Sequence, residues 1–278
     1  MGIYYKGEEV GFIVNSPATG TLDITENGVY DVKNKAKVDV KVSSKLQALM
    51  NDLDLNITLQ DLDNVTEIAD YAFYRRGNLK SIEIPTSVTK IGKQAFYYCN
   101  DLYRIDFPDS IETLGEQVCY GCGSMYYVTL PKNLTRIESG SFCTTSLQEV
   151  IIPEGVTYIG SSAFYISSLS TVTIPAGVTT IGQMAFGNNN KLVEMILLPT
   201  TPPSIALNTI STATTIIYVP YGTKTLYETT NVWKDLLTRE TNPITFIELN
   251  EDGSKPNPDP SDIGQDTPGM DLGDDMLE

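Results

Sequence analysis

A pattern of apolar residues and prolines recurs at a fixed spacing through the middle of this 278-residue chain. Two consecutive units read VTKIGKQAFYYCNDLYRIDFPDS and IETLGEQVCYGCGSMYYVTLPKN. The units are 23, 23, 23, 22 and 22 residues apart, and they begin at Val65, Val88, Ile111, Leu134, Val156 and Val178. A period in the low twenties with apolar residues at constant offsets is typical of a solenoid. Because each unit is too short to bury its own apolar face, neighbouring units must stack.

Each unit contains the same succession of local signals. An apolar residue and the isoleucine three positions later are expected to face inward, and a short helical or turn segment then carries a phenylalanine. A glycine commonly stands at the fifth position, where we expect a tight bend or a positive φ; the examples are Gly92, Gly115, Gly160 and Gly182. The unit closes with an alternating strand that ends at a proline, which cannot extend a ladder. Stacking then predicts one parallel sheet of short strands, spaced by about 4.8 Å per coil.

The regions on either side of the repeats predict caps and extensions. Residues 1–42 are expected to form a small β module that serves for attachment, because Asn27-Gly28 suits a turn and the valines of 38–42 alternate with polar residues. Residues 43–64 are predicted to be an N-terminal cap and residues 65–205 the repeats. Residues 206–249 are expected to form a C-terminal cap with a helix from Thr223 to Trp233. The fold class is therefore an α/β repeat solenoid, followed by an acidic Pro/Gly-rich tail at 250–278.

Composition and charge argue against several classes of function. The net charge is −16, and residues 251–278 contribute half of it, because they hold nine acidic residues and one lysine. Such a chain is poorly suited to neutralising phosphates, so we expect no nucleic-acid partner. The sequence contains no histidine, which removes the commonest general base and metal ligand, so we predict no enzyme activity and no cofactor. No apolar run approaches the roughly 18 residues of a membrane span, and the start does not resemble a secretory signal.

The repeat unit VxxIGxxAFxxCxxLxxIxIPxx resembles the BspA-like class of leucine-rich repeats over about residues 53–249. Departures are Cys119 at the phenylalanine position, and Ala69 and Glu138 at the glycine position. The resemblance implies a binding or adhesion protein of bacteria, their phages or some protozoa. Residues 21–32 and 38–42 are, in addition, similar to short β segments of phage structural proteins. Together these likenesses imply a virion protein that contacts other virion proteins or a bacterial receptor. A bacterial cell-surface adhesin is the alternative. Either protein could form homo-oligomers.

Two rows of side chains are candidates for a binding surface. Because side chains alternate along a strand, the residues between the buried positions should point outward; they are Ser81, Glu83, Arg104, Asp106, Tyr127, Thr129, Glu149, Ile151, Thr171 and Thr173. This row is either an interface or a solvated sheet face. A second row follows the phenylalanine position and contains Tyr74, Tyr97, Tyr120 and Tyr165. Those rings could stack on a sugar or peptide, or they could simply cover the edge of the core.

The four cysteines and the acidic residues near the N-terminal cap are further candidates. Cys99 and Cys122 lie 23 residues apart and so occupy the same position in adjacent coils, within the Cα range of a disulfide. Buried structural thiols, a Cys99–Cys122 bridge and a zinc site built on Cys119 and Cys122 remain alternatives. The acidic residues Asp52, Asp54, Asp61, Asp63 and Glu67 lack the spacing of a calcium loop, which favours a solvated acidic edge.

Overall fold

A computed structural model describes residues 65–206 and 208–256 with their side chains, together with the backbone of six short strands before residue 58. The described array is a parallel β-solenoid of about 7 turns that contains little helix. Coils are numbered here by the repeat units, so that the third coil is 111–133 and the fourth is 134–155. The predicted limits of the five regions of the chain stay predictions.

The first five strands form a separate sheet. They are β1 (Gly2–Tyr5), β2 (Glu8–Gly11), β3 (Leu22–Thr25), β4 (Gly28–Asp31) and β5 (Ala36–Val38), in the order β2-β1-β3-β4-β5. Strands β3 and β4 pair antiparallel with Thr25 opposite Gly28, so Gly28 begins β4, and Asn27 lies outside the described residues. The valine pattern of 38–42 overlaps β5 only at Val38, and residues 39–54 lie outside the described part of the chain.

The solenoid strands alternate between two ladders. They are β6 (Leu55–Ile57), β7 (Glu67–Ile68), β8 (Leu79–Ile82), β9 (Lys90–Ile91), β10 (Arg104–Asp106), β11 (Thr113–Leu114), β12 (Tyr127–Thr129), β13 (Arg136–Ile137), β14 (Tyr158–Ile159), β15 (Thr171–Ile174), β16 (Thr180–Ile181), β17 (Glu194–Leu197), β18 (Ile216–Val219) and β19 (Thr245–Glu248). Every pairing among them is parallel. Two-residue strands early in each unit build the first ladder, and strands of up to four residues late in each unit build the second.

The core is a column of side chains contributed by successive coils. Phe73 stacks on Phe96 with ring centroids 5.4 Å apart and planes 2° from parallel. Phe142, Phe164 and Phe186 continue the column at 5.6 and 5.4 Å. Cys119, fully buried, occupies the phenylalanine position between the two groups of rings. The repeat therefore places equivalent side chains above one another, as expected for a stacked array.

The segment that carries each phenylalanine is built from turns rather than helix, and it holds two left-handed residues per coil. The seventh position has positive φ in all six units (Tyr71, Gln94, Gln117, Gly140, Ser162, Met184), and so has the eleventh (Arg75, Tyr98, Gly121, Thr144, Ile166, Asn188). Left-handed backbone is unfavourable for side chains other than glycine. Backbone hydrogen bonds between coils offset this cost, as where the Tyr71 N–H donates to the Lys93 carbonyl at 2.8 Å.

Of the two alternatives predicted for the recurring glycine at the fifth position, a tight bend or a positive φ, the positive φ is wrong. A Cβ at Gly92 would lie 2.3 Å from the backbone nitrogen of Asp70, and one at Gly160 would lie 2.4 Å from that of Ser139. The glycine is required because the backbone of the preceding coil approaches this position closely. The left-handed turns lie at the seventh and eleventh positions instead.

Two short helices cover the C-terminal end of the array, where one helix was predicted. They are α1 (Lys224–Thr229) and α2 (Asn231–Leu236), separated by Thr230, whose ψ of 118° is extended. Trp233 and Tyr227 are buried with ring centroids 5.4 Å apart. Their polar atoms donate to chain carbonyls, Trp233 Nε1 to Pro203 and Tyr227 Oη to Pro199, each at 2.7 Å. The apolar end of the stack is thus closed without an unsatisfied donor on either ring.

The predicted single sheet is interrupted between the third and fourth coils. In the first ladder, β7, β9 and β11 form one sheet and β13, β14 and β16 another. In the second ladder, β12 pairs only with β10, and β15 pairs only with β17. Backbone hydrogen bonds do cross this boundary on the turn side, from Gln117 to Ser139 at 2.9 Å and from Cys119 to Ser141 at 2.8 Å. The two halves of the array therefore remain joined through the turn segments that follow the first ladder.

Candidate protein-binding surface

The outward row lies largely where the alternation of the strands predicts it. Arg104, Asp106, Tyr127 and Thr129 are exposed on β10 and β12, and Thr171 and Thr173 are exposed on β15. Ser81 is half-buried on β8. Glu83 is exposed just after this strand, and its backbone forms an isolated parallel β-bridge with that of Asp106. Glu149 and Ile151 were predicted on a strand of the fourth unit, but residues 147–152 form no strand. These two residues are exposed beside the interruption of the sheet instead.

At the boundary where the first ladder is interrupted, Glu138 stands at the fifth position in place of glycine. In other coils the glycine at the fifth position donates its N–H to the isoleucine carbonyl of the coil before, as Gly115 does to Ile91 at 2.9 Å. Among the described residues, no backbone hydrogen bond joins Glu138 to Leu114. A Cβ at this position meets the preceding backbone in the coils that carry glycine. We infer that the side chain of Glu138 holds the fourth coil away from the third, and Arg136 Nε binds its carboxylate at 2.8 Å.

A largely apolar cleft of about 550 Å³ lies at the interruption. One wall is formed by residues 127–130 of the third coil and the other by residues 149–154 of the fourth. Ile151 on the second wall is 85% exposed, the largest exposure among the exposed large apolar residues of the described array. A volume of this size lies in the usual range of ligand-binding clefts, so the interruption creates a recess that a regular array would lack.

Aromatic side chains and one arginine lie on the outward face next to this cleft. The guanidinium of Arg104 lies 4.7 Å from the centroid of the Tyr127 ring, and its Nε donates to Asp106 at 2.7 Å. Partial burial of Asp106 acts to raise its pKa, but the hydrogen bonds from Arg104 and Thr129 outweigh it and lower the pKa of this carboxyl. Asp106 is therefore ionised at neutral pH and fixes the position of Arg104 over the ring.

Tyr103 and Tyr126 extend this surface, and the sequence analysis missed them. Their rings stack with centroids 6.1 Å apart, and they remain 42% and 52% exposed. Both stand at the sixteenth position of consecutive units, so the coincidence of two tyrosines at one offset was the signal that could have found them. Together with Arg104, Tyr127 and Ile151 they form what we call the aromatic patch. Tyrosine and arginine are the residue types enriched in protein interfaces.

The predicted aromatic row forms a tyrosine ladder in which ring faces cover one another. Tyr74 and Tyr97 stack at 4.9 Å, and Tyr97 and Tyr120 stack at 5.0 Å. Cys143 replaces the next tyrosine, so Tyr165 stands apart and accepts a hydrogen bond from Asn188. Because the faces inside the stack are already covered, the geometry favours a ladder along the edge of the core over a stacking platform for a ligand.

The twelfth position of the units is a hydrogen-bonding position inside the core. The thiols of Cys99 and Cys122 donate at 3.0 Å to the carbonyls of Phe73 and Phe96 in the coil before. Thr145 and Ser167 stand at the same position and donate to the phenylalanine carbonyl of their own coil, whereas Asn189 donates to Phe164 of the coil before. In the second to sixth units a side chain with a donor therefore satisfies a buried carbonyl at this position.

All four cysteines are buried, free thiols in the structure. Burial raises the pKa of Cys99 and of Cys119 well above the ordinary value of 9.0. The described residues contain no group of three histidine, cysteine or acidic side chains placed to hold a metal ion. Of the acidic residues near the N-terminal cap, Asp52, Asp54, Asp61 and Asp63 lie outside the described residues, and Glu67 pairs with Lys90 at 2.8 Å.

The parallel coils, the inward leucine, isoleucine and phenylalanine columns and the exposed sheet face define a leucine-rich-repeat solenoid. More narrowly, residues 66–193 match, in six copies, the family model described as the BspA type leucine rich repeat region. This match agrees with the resemblance that the sequence pattern of the segment predicted. Comparison with curated proteins finds no match.

Several solved structures are similar to this chain at low identity. A leucine rich cell surface protein from Faecalibacterium prausnitzii is 20% identical with a TM-score of 0.39, covering 58% of this chain and 65% of its own. A leucine rich repeat protein from T. pallidum is 21% identical with a TM-score of 0.43, covering 61% and 85%. A leucine-rich repeat protein from Bacteroides ovatus is 15% identical with a TM-score of 0.35, covering 89% and 83%. The chain thus spans slightly less than two thirds of the Faecalibacterium protein.

The helices of the described residues are short, and none has the length and apolarity needed to cross a membrane.

Proposed function

We propose that this protein is a non-enzymatic binding module that contacts other proteins through the aromatic patch and the adjoining cleft. The observation that carries the proposal is the concentration of exposed tyrosines, Arg104 and Ile151 beside a recess in an otherwise regular sheet face. A solvated sheet face would not need this cluster, because threonine and charge pairs suffice elsewhere in the row. Exposed apolar patches next to recesses are typical of interaction sites.

We further propose that the setting is a bacteriophage particle, with the chain as a tail, fibre or head-decoration component. Its partners would be other virion proteins or a bacterial receptor. The support is the likeness of residues 21–32 and 38–42 to short β segments of phage structural proteins. The five-stranded N-terminal sheet would serve for attachment, and the array would present the binding surface.

Purified particles test this assignment directly. Antibodies raised against residues 65–249 should label the particles in electron micrographs, and the protein should be recovered from them in a fixed stoichiometry. Particles assembled with the Tyr126→Ala/Tyr127→Ala variant should lose the protein or lose attachment to host cells. A protein absent from purified particles would contradict the virion assignment.

A bacterial cell-surface adhesin is the second candidate, and the BspA-type array over residues 66–193 favours it equally. The same antibodies distinguish the two, because an adhesin should label intact, uninfected bacterial cells. The Tyr126→Ala/Tyr127→Ala variant should then reduce cell attachment, while Thr171→Ala/Thr173→Ala, on the same face but away from the cleft, should not.

A further inference from the structure

The cleft between the third and fourth coils is bordered by backbone that lacks strand partners. Strand β12 pairs with β10 on one edge only, so its other edge faces the cleft. On the opposite wall, residues 149–152 have no inter-strand backbone hydrogen bond within the described part of the chain. Unpaired strand edges are templates for pairing with another extended segment. The cleft therefore offers main-chain donors and acceptors on both walls.

Apolar side chains in the walls suit an extended segment with a two-residue period. Val128 and Leu130 on one side and Val150 and Ile152 on the other alternate with exposed residues. An inserted strand would place every second side chain against them, since side chains alternate along a strand. Main-chain bonding combined with recesses for alternate side chains is a recurrent mode of peptide recognition.

The charged residues of the cleft indicate which charge a bound segment should carry. Glu149 and Glu154 line it, and neither has an ion-pair or hydrogen-bond partner among the described residues. Lys132 also lines it, but its ammonium group binds Asp109 at 3.0 Å. The uncompensated charge is therefore negative, which favours a segment that carries lysine or arginine.

The C-terminal tail of this chain is a poor occupant because of its charge. Lys255 binds Glu194 at 2.5 Å on the outward face, two coils away from the fourth. The residues that follow it, 256–278, hold seven acidic side chains and no basic one. Like charges across the cleft would disfavour docking.

We propose that the cleft binds a β-strand of another protein chain, with apolar residues at alternate positions and a lysine or arginine within reach of Glu149 and Glu154. The strand adds to the free edge of β12 or of residues 149–152 and restores the interrupted ladder. This inference names the partner class of the binding surface and rests on the proposed function.

Labelled seven-residue peptides test the inference on the full chain by fluorescence anisotropy. In KVTVTVK and DVTVTVD, valines alternate with polar residues, and the two peptides differ in being basic and acidic. The third probe, VVVTTKK, is basic but has no such alternation. We expect KVTVTVK to bind at least about tenfold more tightly than either other peptide. Equal binding of the three peptides, or binding of none, overturns the proposal.

Two variants test whether the peptide occupies the cleft. The Glu149→Lys/Glu154→Lys variant should bind KVTVTVK about tenfold more weakly and DVTVTVD more tightly. The matched control Glu240→Lys/Glu251→Lys, on exposed residues elsewhere, should change neither affinity. Glu138→Gly should close the ladder and abolish binding. Protection of the amide of residue 138 from hydrogen exchange is the sign of closure, because in the closed coils this amide donates to the coil before. A closed ladder with unchanged binding overturns the proposal. Because these experiments use the isolated chain, their failure is distinct from absence of the protein in particles or on cells.

Discussion

The fifth residue of each coil shows how one side chain sets the distance between neighbouring coils. Gly160 and Gly182 allow the backbone of the preceding coil to approach to 2.4 Å from where a Cβ would lie. Glu138 stands at the same position, and there the first ladder is interrupted. The repeat continues past this position in steps of 22 residues, but the first ladder is not continuous across it.

Gly160→Ala should destabilise the protein by about 2 kcal/mol, because the added methyl group must displace the backbone at Ser139. Urea unfolding followed by circular dichroism measures the change. Gly77→Ala is the matched control, because a Cβ at Gly77 meets no atom within 4 Å, and we expect a change below about 0.5 kcal/mol. Similar losses in both variants would contradict the close-approach explanation.

The buried thiols predict a loss of stability at alkaline pH. Burial raises the pKa of Cys99 and Cys119 well above 9.0 in the folded protein, so they stay neutral when the thiols of the unfolded chain ionise. The stabilisation is complete below the unfolded thiol pKa and is lost as pH rises above it. The free energy of unfolding should therefore fall between about pH 8 and pH 11. The Cys99→Ser/Cys119→Ala variant should show a smaller fall, and an equal one would contradict the assignment.

A thiol titration decides between free cysteines and the Cys99–Cys122 bridge. The thiols of both residues donate to carbonyls at 3.0 Å, so we expect four thiols per chain after denaturation without reductant. Finding two, with four after reduction, would support the bridge. Native protein should react slowly with a thiol reagent, because all four side chains are buried.

At the scale of elements, the C-terminal cap differs from the coils in how it buries surface. A coil packs against two neighbours, whereas α1 and α2 must cover the last coil on one side only. They do so with Tyr227 and Trp233, which pack on Phe246 of β19 with centroids 5.7 and 6.3 Å away. Terminal units of solenoids need such a cover because the open end of the core is apolar.

Trp233→Ala should destabilise the protein by about 3–5 kcal/mol, because it removes a buried indole and leaves the Pro203 carbonyl without its donor. Urea unfolding followed by circular dichroism measures the loss. Leu226→Ala, on α1 but 45% exposed, should change stability by less than about 1 kcal/mol. A small effect of the Trp233 variant would mean that the helices do not cap the array.

At the scale of the whole molecule, the array consists of two halves joined along the turn side. The first ladder is continuous in coils one to three and again from the fourth coil onward, and hydrogen bonds such as Gly121 to Cys143 at 2.8 Å connect the two parts. The stability of a repeat array is approximately a sum of unit and nearest-neighbour terms. The interrupted boundary should therefore be the weakest interface in the array.

Unfolding should consequently show two steps rather than one. Hydrogen exchange in increasing urea should divide the protected amides into one group before Leu134 and a second group after it. Glu138→Gly should merge the two groups, because a closed ladder strengthens the weak boundary. A single cooperative group in the original protein would show that the turn side alone couples the halves fully.

The sequence by itself determined the coil, because each of its requirements is local or repeats at a constant offset. Apolar residues, phenylalanines and prolines at a spacing of 22 or 23 residues predicted the stacked parallel strands, and the family model over residues 66–193 agrees. The same pattern predicted most of the outward row, because the alternation of side chains along a strand does not depend on the neighbouring coil.

Only the tertiary structure decided where the sheet is interrupted and what surface results. The reason for the glycines, the missing strand at 147–152 and the stack of Tyr103 on Tyr126 depend on contacts between residues some 20 positions apart. Glu138 reads as one departure from a pattern in the sequence. In three dimensions it stands where the other coils hold a glycine against the preceding backbone, and the first ladder is interrupted there.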